Sequence, residues 1–294
     1  MWTNLPMPLR ALFPFIIAAT LSLCGCDARK KTAQPAPDVT AYEARGVLHE
    51  IRGGGRRAVI AHEAIPGYME AMTMEFDVAD AKETAGLVPG DTLAFRLCVN
   101  ESAGWIDHVR KTGHTDPPPV AKDGALPEAG AALPECALID QRGEARRTGE
   151  FRGRALAITF IYTRCPFPNF CPLLSSRFAE VQRQMAAADA SDGWHLLSVT
   201  IDPQHDTPER LGEYARRFSA DAARWSFATG EAGEIEKLTG FFGLRIIREG
   251  AEWNHTLRTA VIDRAGRVRK IFTGNEWTAE ELTAELRQAS GVPR

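Results

Sequence analysis

The chain has 294 residues, 44% of them apolar and 25% charged, ordinary globular usage that excludes a generally disordered protein. Its formal net charge of −3 and pI near 6.2 argue against a nucleic-acid partner, since neutralising phosphates takes a basic face. The longest uncharged apolar stretch, Ala11 to Cys26, falls short of the roughly 18 residues a spanning helix needs, which excludes a polytopic membrane protein.

That stretch reads as an export signal, with Arg10 as a short basic region and Ala11 to Leu23 as the apolar core. It ends in Leu23-Cys24-Gly25-Cys26, which resembles a bacterial lipoprotein signal cut after a small residue. The resemblance implies removal of residues 1–25, a lipid on Cys26 and anchoring at the periplasmic face of the inner membrane. Asp27 resembles the residue that retains lipoproteins there. A plain secreted protein and an uncleaved anchor are the alternatives. Residues 26–41, with Lys30-Lys31 and Pro35-Ala36-Pro37, read as a tether. Cys98, Cys136, Cys165 and Cys171 then remain, and in an oxidising compartment they are disulfides or metal ligands.

Two domains are expected, a small all-β, OB-like barrel over 42–115 and an α/β domain over 135–294, joined by a Pro/Ala-rich linker over 116–134. In the first, Arg45 to Ile51 and Arg57 to His62 flank three glycines as a hairpin, and Ala71 to Asp77 alternates as a half-buried strand. Thr92 to Val99 and Trp105 to Lys111 complete five short strands, enough for a small barrel. In the second, Ala155 to Tyr162 is a continuous apolar run typical of a strand covered on both faces. A helix follows from Pro172, with Leu174, Phe178, Val181 and Met185 on one stripe. His195 to Ile201 is the next strand, and Asp206 to Glu209 reads as a carboxylate-capped helix start. Thr256 to Asp263 and Arg267 to Phe272 form a terminal hairpin before a helix capped by Thr278.

The informative segment is Thr163 to Pro172, which joins the buried strand to the striped helix. Pro172 suits a first helical turn, so Cys171 falls near the N-cap, where the helix dipole and free amides favour a thiolate. Two prolines stiffen the loop between Cys165 and Cys171, which close a disulfide or bind a soft metal. For a metal, His255 before the strand at Thr256 is the candidate third ligand, and two thiolates with an imidazole suit copper. Asp202 and Asp206 are explained by strand-end and helix-cap roles, and His49, His108, His114, His195 and His205 by surface or strand-end positions.

Phe160 to Pro166, Cys171-Pro172, Asp202 to Glu209, and His255 before a strand ending Val261-Ile262-Asp263 together resemble the Sco/SenC family over about residues 133–292. The resemblance implies a thioredoxin-like fold and copper bound by Cys165, Cys171 and His255. It also implies a part in assembling the dinuclear copper centre of cytochrome c oxidase, by delivering copper or by reducing that site's cysteines. One departure stands out. Five residues, Pro166 to Phe170, separate the cysteines where the family usually has three, and Asn169 stands where an acidic residue is common.

In the first domain Met69, Met72 and Met74 lie within six residues, and Met72 and Met74 share a strand face. With His62 they offer thioethers and an imidazole, a set that selects Cu(I) or Ag(I). Equally, Met72, Met74 and Phe76 fit the buried face of a barrel. His62 to Phe76 resembles the CusF family of periplasmic copper-binding barrels, which implies Cu(I) held by His62, Met72 and Met74. That family's capping tryptophan is missing from the motif; Met69 as a third sulfur, or Tyr68 through its ring face, are the stand-ins. Cys98 and Cys136 either bridge the domains or are separate buried thiols.

The sequence therefore reads as a lipid-anchored periplasmic copper chaperone that takes Cu(I) from periplasmic donors and delivers it to an oxidase subunit, without turnover of its own. Cu(II) is also tolerated at Cys165, Cys171 and His255. The alternatives are a thiol–disulfide oxidoreductase with Cys165 and Cys171 as its redox pair, and a copper-tolerance protein that sequesters the metal.

Overall fold

A computed structural model describes residues 38–117, 123–188, 192–249 and 252–291. The signal sequence and Cys26 lie outside these residues. Among the described residues no helix is long and apolar enough to cross a membrane.

Five strands build the first domain: β1 (Thr40–Arg52), β2 (Arg57–His62), β3 (Met72–Val78), β4 (Asp91–Val99) and β5 (Gly104–His114). They close into a barrel in the order β1-β2-β3-β5-β4. All pairs are antiparallel except β3 with β5, a short parallel contact that seals the ring. Alternation fills the interior: Leu48, Ile60, Phe76, Phe95, Leu97 and Ile106 are buried there, while intervening residues face out. The long β1 pairs on both edges, which lets five strands close.

The second domain runs β6 (Ala137–Asp140), β7 (Ala145–Arg147), β8 (Ala155–Ile161), α1 (Cys171–Ala188), β9 (Trp194–Thr200), α2 (Pro208–Arg217), β10 (Trp225–Thr229), α3 (Ala232–Phe241), β11 (Ile246–Glu249), β12 (Glu252–His255), β13 (Arg258–Ile262), β14 (Val268–Thr273) and α4 (Ala279–Ser290). Its sheet has the order β14-β13-β8-β9-β10-β6-β7, with β8, β9 and β10 parallel at the centre. Every residue of β8 and β9 is buried, as continuous apolar runs require of strands covered on both faces. The α1 stripe Leu174, Phe178, Val181 and Met185 is buried as well. This is a thioredoxin-like α/β domain. A separate hairpin, β11–β12, leaves the sheet and carries His255 at its end.

The linker and the cap of α2 differ from expectation, one open alternative is decided, and the expected cap of α4 is present. The linker does not run free to residue 134. From Asp123 onward it is strapped to the second domain, where Asp123 pairs with Arg258 at 2.5 Å, Gly124 donates to the Gly243 carbonyl, and Leu133 is buried. The cap of α2 is the Thr207 hydroxyl rather than the Asp206 carboxylate, which is engaged elsewhere. Cys98 and Cys136 are separate buried thiols, one beside Asp107 in the barrel and the other in the second core. The capping box of Thr278 and Glu281 on α4 is present.

The domains pack directly on each other. Phe167, from the loop between the cysteines, is 1% exposed and belongs to the barrel's core, edge-on to Phe76 at 5.9 Å. Asn169 donates to Asp77 at 2.6 Å and to the Gly104 carbonyl at 2.8 Å, and accepts from the Gly104 amide at 2.9 Å. An ion pair between Arg57 and Glu276 adds a rim contact at 2.6 Å.

Candidate metal centre

His62 ends β2 directly opposite Met72 on β3, and Met74 lies opposite Ile60 two residues along the same face. The three side chains therefore share one side of the pleat. A tight turn from Ile65 to Met69, closed by Ile65 and Met69 exchanging backbone hydrogen bonds, folds Met69 back beside them. All four side chains are buried. Nδ1 of His62 bonds the Glu63 carbonyl at 2.8 Å, which fixes the proton there. Nε2 is buried without a hydrogen-bond partner, and burial holds the imidazole below its ordinary pKa, which favours the neutral form. An orphaned neutral nitrogen beside soft sulfurs is what a soft cation requires.

The second domain repeats the device. Nδ1 of His255 bonds the Thr256 carbonyl at 3.1 Å, and Nε2 faces the Cys171 sulfur at 3.7 Å. Burial lowers the His255 pKa to about 4, so it too is neutral. Cys171 is fully buried at the start of α1, and Cys165 is half-buried. Burial raises both thiols. On Cys165 it is outweighed by hydrogen bonds from the Cys171 thiol and amide, which bring it below the ordinary range, whereas burial and the neighbouring sulfur push Cys171 well above it. The helix start thus favours a thiolate at Cys165, not at Cys171 as its sequence position implied. Among the described residues no group of three or more His, Cys, Asp or Glu side chains is gathered closely enough to hold a metal ion, so Cys165, Cys171 and His255 do not stand as a complete three-ligand set. Cys171 and His255 are in contact, Cys165 is hydrogen-bonded to Cys171, and the remaining soft donors come from methionine.

Residues that patterns did not reveal hold this arrangement. Asp202 receives Nε and Nη2 of Arg164 at 2.9 and 2.8 Å, and Asp206 receives the Thr163 amide at 3.0 Å and the Thr163 and Thr200 hydroxyls at 2.5 Å. Both carboxylates anchor the two residues before Cys165. Across the domain boundary, the Tyr68 hydroxyl donates to the Pro166 carbonyl at 3.0 Å, and Nδ2 of Asn254 donates to the Thr73 carbonyl at 2.6 Å. Tyr68 itself stacks on Tyr42 at 4.7 Å. Trp253 of β12 lines a small cavity together with Met69, Met72 and Met74.

That cavity is where part of each candidate set meets, and neither His62 nor Cys171 is on its walls. Met69, Met72 and Met74 line it from the barrel, and Cys165 and His255 from the second domain. Its free space is about 20 Å³, enough for one ion or one water molecule.

These features define a class of protein, a thioredoxin-like domain carrying Cys165, Cys171 and His255 packed on a five-stranded barrel in which His62 lies opposite Met72. The chain belongs to the SCO1/SenC family, whose model matches residues 126–291. Residues 41–111 match a second model, described as copper binding periplasmic protein CusF. The bovine mitochondrial protein SCO2 homolog is 30% identical over 115 residues, 39% of this chain and 41% of that protein. A SCO2-like protein of Rickettsia typhi is 29% identical over 147 residues, 46% of this chain and 66% of the relative. The chain thus spans less than two thirds of the length of either relative. A crystal structure of a SCO1/SenC family lipoprotein from Bacillus anthracis superposes with a TM-score of 0.50 at 23% identity, covering 56% of this chain and 99% of that one, which shows the fold.

Proposed function

We propose that the protein is a lipid-anchored periplasmic copper carrier. The barrel captures Cu(I) at His62, Met72 and Met74, with Met69 adjoining, and the ion passes to Cys165, Cys171 and His255 and onward to the dinuclear copper site of a cytochrome c oxidase subunit. The observation that carries this reading is the shared cavity, with soft donors of both domains on its walls. Family membership and the copper-binding description of the barrel's family model support it.

The residues' chemistry follows from their settings. Both imidazoles carry their proton on Nδ1, so each offers Nε2 without first losing a proton, unpartnered in His62 and against the Cys171 sulfur in His255. Thioethers carry no charge and bind weakly enough to release, whereas a thiolate adds a full negative charge. The gradient of donor strength therefore runs from barrel to cysteines. Arg164, fixed by Asp202, and Thr163, fixed by Asp206, keep the Cys165 loop in place as ligands exchange.

The hydrogen-bonded dithiol favours a second reading as well. A Cys165 thiolate attacks a partner disulfide sulfur and expels one partner thiolate. Cys171 then attacks Cys165 in the mixed disulfide, so two electrons pass to the partner and this chain is left oxidised.

The test is Cu(I) stoichiometry of the reduced full chain against a competing chelator. Two equivalents are expected, with one lost in His255→Ala and the other in Met72→Ala/Met74→Ala. One equivalent that survives His255→Ala and disappears with the methionines would overturn copper binding by the second domain and leave the dithiol reading.

A further inference from the structure

Two hydrogen bonds cross the domain boundary beside the candidate ligands. Asn254, next to His255, bonds the backbone of Thr73, which lies between Met72 and Met74. Tyr68, next to Met69, bonds the backbone of Pro166, next to Cys165. The strand carrying the methionines is thus fixed against the hairpin carrying His255, and the turn carrying Met69 against the loop carrying Cys165. Phe167 and Asn169 hold the same boundary from the loop between the cysteines. Met74 and His255 also both line a second, open groove of about 410 Å³.

We propose that Met74, Cys165 and His255 form a third soft-metal site, built from both domains, in which a single Cu(I) ion rests while passing from one parent site to the other. The inference rests on the copper-carrier reading and adds the route. Three donors of different kinds, thioether, thiolate and imidazole, line a space that admits one ion. Each parent site contributes part of its own set, so the ion is never released to water. The ion stays Cu(I) throughout. As the Met72 thioether and His62 nitrogen withdraw, the Cys165 sulfur and His255 nitrogen donate their lone pairs; the Cys165 proton goes to water and no electron moves. Cys171 then replaces Met74, its own thiol proton also passing to water, which completes delivery.

The experiment uses the full chain in detergent, grown with selenomethionine, in a His62→Ala/Cys171→Ser variant that removes one ligand from each parent site. One equivalent of Cu(I) is added, and X-ray absorption is recorded at the copper and selenium edges. Met185 is buried in the core of the second domain, and Met74→Leu in the same background identifies the selenium concerned while preserving volume. The expected result is copper with both selenium and nitrogen neighbours, and affinity that falls about tenfold or more on adding either Met74→Leu or His255→Ala. The two losses should be non-additive, as for ligands of one ion. Near-ultraviolet circular dichroism checks that each variant keeps its packing. Copper whose selenium neighbours and affinity are untouched by His255→Ala would overturn the shared site, while the two equivalents of the unaltered protein would still support the carrier reading. Failure of the unaltered protein to bind two equivalents would instead overturn that reading, and the shared site with it.

Discussion

At the scale of single residues, the two sulfurs between β8 and α1 differ in kind. Cys165 is half-buried, and although burial raises its thiol, hydrogen bonds led by those of the Cys171 thiol and amide bring it below the ordinary range, whereas Cys171 is sealed in the core with its thiol pushed up. Limited iodoacetamide at neutral pH should therefore modify Cys165 at least about tenfold faster than Cys171, read by peptide mass spectrometry of the reduced protein. Equal labelling would contradict this asymmetry. His195 supplies a second case. Burial, then Arg154, Arg146 and Arg224, lower its pKa to about 3 from the ordinary 6.5. The unfolded chain takes up this proton first, so the stability that neutral His195 contributes is intact above about pH 6.5 and is lost as pH falls toward 3, at up to roughly 1.4 kcal/mol per unit. Melting temperature measured from pH 7 to pH 4 should decline, and His195→Gln should flatten the decline.

At the scale of elements, the longer loop between the cysteines explains itself once the barrel is in place. Asn169 does not face a metal; its amide group donates to Asp77 and pairs with both backbone groups of Gly104. A carboxylate here would stand within hydrogen-bond distance of Asp77, already pushed up by burial. Asn169→Asp should accordingly loosen the interface by about 2 kcal/mol near pH 7 and recover as the pH is lowered until one of the two acids takes a proton. A melting curve that does not change as the pH is lowered would refute the account. The candidate ligand residues stand out in the sequence because they sit in local motifs, His62 to Met74 on paired strands and Cys165 to Pro172 at a strand-to-helix turn. Their convergence was not legible. It depends on contacts such as Asn254 with Thr73, 181 residues apart, which leave no periodicity or spacing to read. The strap from Asp123 was hidden for a related reason: composition marks proline and alanine as linker-like, but Asp123 is held by Arg258, a buried cation in a distant strand. The Asp206 carboxylate misled in the opposite sense, since a cap signature at α2 matched a residue whose oxygens are taken by Thr163 and Thr200.

At the scale of the whole molecule, the barrel and the α/β domain behave as one body only so long as Phe167 stays seated. Its ring lies against the backbone of Gly104, where an added Cβ would come within 2.6 Å of Cε2 and 2.7 Å of Cζ. Gly104→Ala therefore drives the ring from its socket without altering any donor atom, and Phe167→Ala empties the same socket at a cost of about 3 kcal/mol. The barrel keeps its own closed ring of strands and the second domain its own core, so neither loses its internal packing. What is lost is the coupling between them. Calorimetry should show one transition for the unaltered chain and two for either variant, with Cu(I) equivalents retained but handover slowed, because the methionines no longer face Cys165 and His255. A single transition in both variants would mean that the Asn169 and Asn254 bonds hold the boundary without the ring. Adding Asn254→Ala to Gly104→Ala should then separate the domains, and a single transition even in that double variant would refute this description of the interface.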